Sequence, residues 1–349
     1  MKRIRVLIVE DSKVIREFLE HIIGRDPRLE IAGSVGSAEE ALRMLEETSP
    51  DVISMDIRLP GMNGFEATQR IMTERPTPIV VVSASVERED LQITMNALRA
   101  GALTVIEKPA GTASFEYEAL AERLCTQLAI MSQVKVVRRR IGVRPGLLPD
   151  GRPHPLSGSY RMLGIVSSTG GPNALTQLLS GLGREFPLPI LLVQHITGSF
   201  LEGFASWLQD VSPFAVELIT CRTFPRRGKV YLAASDRHLR VKYDGVQIDS
   251  GDPVSAQRPS GTVLFQSLAD TYGSQALGVL LTGMGDDGAA GLLKIRKTGG
   301  HTIAEHESTA VVYGMPAEAV RLGAACECLP LPAIAPRLLE LTCSRKEVA

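Results

Sequence analysis

The chain has 349 residues, 44% hydrophobic and 22% charged, with a formal net charge of −1. That length allows two domains with cores of their own, and the charge balance supplies no field favouring nucleic acid or a membrane surface. No apolar run is long enough to span a bilayer, and "MKRIRVLIVEDS" is too short in its apolar part for a secretory signal, so a cytoplasmic protein without membrane insertion is expected.

Residues 1–131 alternate strand and helix patterns. "IRVLIV" leads to an amphipathic stretch over 12–24, and "LEIAGSV" to "AEEALRMLEE". "DVISMD" leads to a helix over 64–74, "PIVVVSA" to "EDLQITMNALRAGA", and "TVIEKP" to "FEYEALAERLCTQLAIM". Five βα units with continuously apolar strands predict a flavodoxin-like, five-stranded parallel sheet. Residues 132–160 lose this rhythm. They are rich in Arg, Pro and Gly and read as a linker, with a basic cluster at Lys135, Arg138, Arg139, Arg140 and Arg144. From residue 161 to 349 the alternation returns. "RMLGIVS", "PILLVQH" and "ALGVLLTG" are buried-type strands, while "KVYLAA", "HLRVKY" and "GVQIDS" look like a β-hairpin insertion. An α/β domain with a mainly parallel sheet is expected. The five cysteines are odd in number and scattered, which suits reduced thiols.

In the first half, polar residues follow the strands: Glu10 and Asp11 after the first, Asp56 after the third, Ser83 at the fourth, Lys108 after the fifth. Ligands of open parallel sheets bind outside the carboxyl ends of the strands. Three carboxylates converging there repel one another unless a cation joins them, and Mg²⁺ suits such hard oxygen donors. A carboxylate beside Mg²⁺ can attack a phosphoryl group, with Lys108 and the Ser83 hydroxyl holding the transferred oxygens.

In the second half, Ser167, Ser168 and Thr169 follow "LGIV", His195 follows "PILLVQ", and Asp286 and Asp287 follow "LGVLLTGMG". A nucleophilic serine needs a base, the base an orienter, and the oxyanion its donors. The order Ser, His, Asp and the turn "SSTGG" differ from the nucleophile elbow of α/β-hydrolases. Taken singly, each element reads equally as a turn, a satisfied histidine or a helix start. The residues alone leave both readings open.

The first half resembles the receiver domain of two-component response regulators, in "VLIVEDS", "SMDIRLPGMNGFEA", "VVVSA" and "IEKP". The resemblance implies Asp56 as phosphoacceptor, Mg²⁺ held by Glu10, Asp11 and Asp56, Lys108 on the phosphoryl group, Ser83 as switch hydroxyl and a cis Lys108–Pro109 bond. Val105 stands where many receivers carry an aromatic switch residue. The second half resembles the catalytic domain of chemotaxis protein-glutamate methylesterases. The carrying motifs are "SSTGGP", "VQHI", "VYLAASDRHL", "RPS", "GVLLTGMGDDGA" and "AEHESTAVVYGMP". That resemblance implies Ser168 as nucleophile, His195 as general base and then acid, and Asp287 as orienter. It points to the turn at Thr169 and the loop at Met284 as oxyanion donors, and to Arg258 as a contact for substrate carboxylates. The implied activity is phosphorylation-activated hydrolysis of glutamate γ-methyl esters on chemoreceptor helices, with deamidation of glutamines and no cofactor for the ester step. A chemotaxis histidine kinase would be the phosphodonor, and a monomer is expected. The rival readings are a response regulator with a non-catalytic, partner-binding output domain, and a DNA-binding one. The second needs a basic recognition helix, and the only basic cluster lies in the linker.

Overall fold

The computed structural model describes residues 2–83, 88–108, 116–134 and 160–342 and divides the chain into two compact units, Met1–Ile141 and Gly142–Ala349. Most of the expected linker, and Pro109 of the expected cis bond, lie outside the described residues.

The first unit runs β1 (Ile4–Val9), α1 (Lys13–Arg25), β2 (Leu29–Val35), α2 (Ala38–Thr48), β3 (Val52–Met55), α3 (Gly64–Glu74), β4 (Ile79–Ser83), α4 (Arg88–Ala100), β5 (Thr104–Glu107) and α5 (Glu116–Met131). The strands are parallel in the order β2-β1-β3-β4-β5. β3 and β4 are buried at every position, as expected of strands covered by helices on both faces. Helix starts are fixed locally: the side chains of Ser37 and Asn63 accept the N–H groups of Glu40 and Glu66. The chain reverses its direction across the sheet at β1, between β2 and β3, so the crevice lies beyond the ends of β1 and β3.

The second unit runs β6 (Met162–Ser167), α6 (Gly171–Leu182), β7 (Ile190–Gln194), α7 (Gly198–Val211), β8 (Ala215–Ile219), β9 (Lys229–Ala233), β10 (His238–Lys242) and β11 (Gly245–Asp249). It continues with α8 (Gly261–Tyr272), β12 (Ala276–Leu280), α9 (Ala289–Lys297), β13 (His301–Glu305), α10 (Met315–Arg321), β14 (Glu327–Leu329) and α11 (Leu331–Thr342). Seven strands form one parallel sheet in the order β14-β13-β12-β6-β7-β9-β8. β10 and β11 form a separate antiparallel hairpin.

Two strand expectations need correction. "KVYLAA" is not part of the hairpin: β9 is an interior strand between β7 and β8, buried at four of its five positions. A short strand shows how apolar it is but not the direction of its partner. β8 falls inside the β-rich insertion expected over 214–250 but was not singled out, and β13 and β14 were not expected. β8 and β14 are edge strands only partly buried, and β13 is fully buried but hides its apolar character behind His301, Thr302 and Glu305. The core beneath the carboxyl ends of β6, β7 and β12 packs Val166, Val193 and Tyr231 with Phe265, Leu268 and Leu280. Burying a side chain of this size contributes about 1.5–3 kcal/mol.

Candidate active site

The first unit gathers its acids where the topology requires. One oxygen from each of Glu10, Asp11 and Asp56 lies within 4.8 Å of the others. Glu10 and Asp56 are buried, and Asp11 is exposed. The Lys108 ammonium lies 2.9 Å from Glu10 Oε2 and 2.8 Å from Asp56 Oδ2. Burial, and then the Asp56 charge, push the Glu10 carboxyl up to about 7 against the pull of Lys108. Burial also raises Asp56, partly offset by Lys108 and by the N–H groups of Arg58 and Ile57. Burial opposes the charge on Lys108, but Asp56 and Glu10 outweigh it and raise its pKa. Lys108 thus pairs with two of the three clustered acids, and Asp11 adds a third carboxylate beside them. The donor set is all hard oxygen, which fits Mg²⁺. Ser83 closes β4, and its carbonyl accepts the Lys108 N–H at 3.0 Å. A Cβ on Gly64 would collide with the Asp56 carbonyl, so this turn admits no larger residue.

The second unit brings its three strand ends to one rim. Ser168 directly follows β6, His195 follows β7, and Asp287 lies on the loop after β12, with β6 flanked by β7 and β12 in the sheet. His195 Nε2 lies 2.9 Å from Asp287 Oδ2. Asp287 is 2% exposed. Its Oδ1 also accepts from Ser260 Oγ at 2.6 Å and from the Thr262 N–H at 3.0 Å, and its Oδ2 accepts from the Gly261 N–H at 2.6 Å. Those N–H groups open α8, so the carboxylate also sits at a helix N-terminus. Burial alone would raise its pKa, but His195, Ser260 and the Thr262 N–H more than compensate and hold it below the ordinary Asp value.

Ser168 sits half-buried on a turn held from two sides. Its N–H donates to the Thr282 carbonyl at 3.0 Å. Its carbonyl accepts from Gln194 Nε2 at 2.8 Å, and the same Nε2 donates to the His195 carbonyl at 3.0 Å. Ser167 is buried and donates to Gln194 Oε1 at 2.7 Å. The two adjacent serines therefore differ: Ser167 clamps the glutamine that spans the serine and histidine turns. Gly283, after β12, would drive a Cβ to within 2.7 Å of Ser168 Cβ, so the Met284 loop passes directly over the serine. Met284 itself is 43% exposed, and Thr169 is buried, its carbonyl held by Thr282 Oγ1 at 2.9 Å.

The CheB methylesterase family model matches residues 163–338, and the response regulator receiver domain model matches residues 6–117. The protein-glutamate methylesterase/protein-glutamine glutaminase 2 of Paramagnetospirillum magneticum is 56% identical, covering 97% of this chain and 98% of its own length. The chain belongs to the CheB methylesterase family. A second relative, the protein-glutamate methylesterase/protein-glutamine glutaminase of Nitrosospira multiformis, is 42% identical over 99% of this chain and 98% of its own. The crystal structure of the Thermotoga maritima CheB methylesterase catalytic domain superposes with a TM-score of 0.50 at 35% identity. It covers 53% of this chain and 100% of that domain.

Within this family frame, one expected contact is already engaged. The Arg258 guanidinium makes a two-pronged pair with Asp236, both bonds at 2.7 Å, and a third bond to the Gly251 carbonyl at 3.2 Å. It ties two loops together, and a substrate carboxylate would have to compete with Asp236. Four supporting residues went unread in the sequence: Gln194, Ser260, Thr282 and Glu305. Ser260 did carry a signal, a serine directly before an apolar helical run. Glu305 carried none. It is fully buried at the end of β13 and accepts the Thr282 N–H at 2.8 Å.

Proposed function

We propose that this chain hydrolyses glutamate γ-methyl esters on receptor helices, and deamidates glutamines there, under control of phosphorylation at Asp56. The observation that carries the reading is the buried Asp287–His195 pair at 2.9 Å, beside a turn that presents Ser168. The names of the relatives supply the substrate class.

Ser168 Oγ attacks the ester carbonyl while His195 takes its proton. Asp287 occupies Nε2, so the nitrogen that serves the serine is Nδ1. The two ring nitrogens have thus exchanged the roles they hold in the serine-protease template. Asp287 keeps its negative charge throughout, because four donors already stabilise it, and it steadies the imidazolium that forms. The N–H groups of Thr169 and Met284 would receive the oxyanion. The imidazolium then protonates the departing methoxide, and water attacking through His195 releases glutamate. With a glutamine substrate, the leaving ammonia requires the same proton more strongly.

In the receiver, Asp56 would accept the phosphoryl group from a histidine kinase. Glu10, Asp11 and Asp56 would hold Mg²⁺, which supplies charge neutralisation of the carboxylates and the transferring oxygens. Lys108 and Ser83 would then bind the phosphoryl oxygens. Methanol release from methylated receptor membranes, with and without a small phosphodonor, tests the reading. No methanol in either condition would overturn it.

A further inference from the structure

We propose that His238 is a positioning residue for the triad, acting through the N-terminus of α8 on Asp287. The inference rests on the assignment of Ser168, His195 and Asp287 given above. His238 opens β10 and is fully buried. Its Nε2 lies 2.9 Å from the Asp252 carbonyl, which can only accept. Its Nδ1 lies 3.1 Å from the Ser260 N–H, which can only donate. These partners fix a neutral ring with the proton on Nε2. Ser260 is the N-cap of α8: its Oγ accepts the Val263 N–H and donates to Asp287 Oδ1. The Gly261 and Thr262 N–H groups complete the cradle. A chain of bonds, buried at its centre, therefore runs from the Asp252 carbonyl through His238, Ser260 and Asp287 to His195.

The same two loops are joined a second time by Arg258 and Asp236, but Asp236 is largely exposed and an ion pair in water holds little. The inner bond to Ser260 is shielded from water and sets where three of the four donors to Asp287 stand. Loss of the Nδ1 acceptor would leave the Ser260 N–H buried and unpaired, and the N-terminus of α8 would shift to find a partner. Asp287 would shift with it, and so would the imidazole that must meet Ser168.

Two substitutions separate this role from simple packing. In His238→Asn, Oδ1 falls where Nδ1 was, so the Ser260 N–H keeps its acceptor while the donor to Asp252 is lost. In His238→Gln, the side-chain amide reaches the Nε2 position, so the Asp252 contact is kept while Ser260 is abandoned. Full-length His238→Gln is expected to lose about tenfold in kcat with KM within about twofold, and His238→Asn to stay within about threefold of the parent. The downfield proton resonance of His195 Nε2–H against Asp287, which needs no substrate, should persist in the Asn variant and shift or broaden in the Gln variant. Equal kcat and equal resonances in the two variants, both retained or both lost, would overturn the proposal. If the Gln variant does not fold, the Asn variant decides alone: a folded protein with kcat reduced tenfold sinks the idea, and one with the parental kcat and resonance upholds it. A parent protein that shows the resonance yet releases no methanol would count against the proposed function and not against this positioning role.

Discussion

The two pockets of this chain are built on the same plan and stand in opposite electrostatic conditions. Both lie beyond the carboxyl ends of parallel strands, next to the first strand of their sheet. In the receiver, three acids cluster and two of them share one ammonium, and burial with the Asp56 charge pushes Glu10 up to about 7. On the catalytic rim, one acid receives four donors and is held below its ordinary value despite equal burial. The receiver pocket gathers more acids than its one ammonium contacts, and a bound cation would offset the excess. The catalytic rim is complete before substrate arrives, as preorganised catalysis requires. A signalling site has to respond to an arriving charge, and a hydrolytic site has to avoid rearranging when one develops.

The sharpest break in this contrast is Ser168→Ala. It removes the hydroxyl proposed as nucleophile and leaves the network around Asp287 untouched. Methanol release should fall about 10⁵-fold or more, with little change in melting temperature. Asp287→Asn attacks the network itself. In either orientation the amide turns an N–H₂ toward donors, against Ser260 and Thr262 or against Gly261 and His195. We expect kcat to fall by about 10³–10⁴ with a lowered melting temperature, separating it from the serine variant. On the receiver side, phosphorylation of the full chain should raise methanol release; a rise of roughly tenfold would correspond to releasing a closed state favoured by about 1.4 kcal/mol. Asp56→Asn should abolish both phosphate labelling and the stimulation. Stimulation that survives in that variant would separate the two halves of the proposed function. Ser167→Ala loosens only the Gln194 clamp and should cost about threefold to tenfold in kcat. A larger loss there than at Ser168 would move the nucleophile by one position.

The smallest effect concerns Glu305, the buried acid that breaks the rule on the catalytic side. Burial pushes it up to about 7 from 4.5, against the Thr282 N–H. The folded chain therefore binds this proton more tightly than the unfolded one. The stability it contributes is full below about pH 4.5 and is lost as pH rises through about 7, by on the order of 3 kcal/mol. Glu305→Gln should remove that decline, so its melting temperature should gain a few degrees on the parent between pH 5 and pH 8. Parallel melting curves for the two proteins would show that Glu305 is not charged by that rise in pH.

In the receiver β1, β3 and β4 were legible because they are largely buried apolar runs, with Glu10, Asp56 and Ser83 at or just after their ends. Ser168 and His195 were legible for the same reason. The supports were not. Gln194 reads as the last residue of a strand, Thr282 as the start of a loop and His238 as one histidine among six; their value lies in contacts across 22 or more positions. The hairpin boundary failed on β9, where only the parallel partner strands, far away in sequence, reveal its place.

The cradle at the start of α8 also bears on reading related chains that have lost activity. Asp287 anchors the first turn of a buried helix as well as orienting His195, so selection for a folded domain alone would retain an acid at that position. An aspartate there is a weak marker of a working enzyme. The informative position for telling a live esterase from a silent descendant is Ser168, whose side chain the described hydrogen bonds assign no duty in holding the fold.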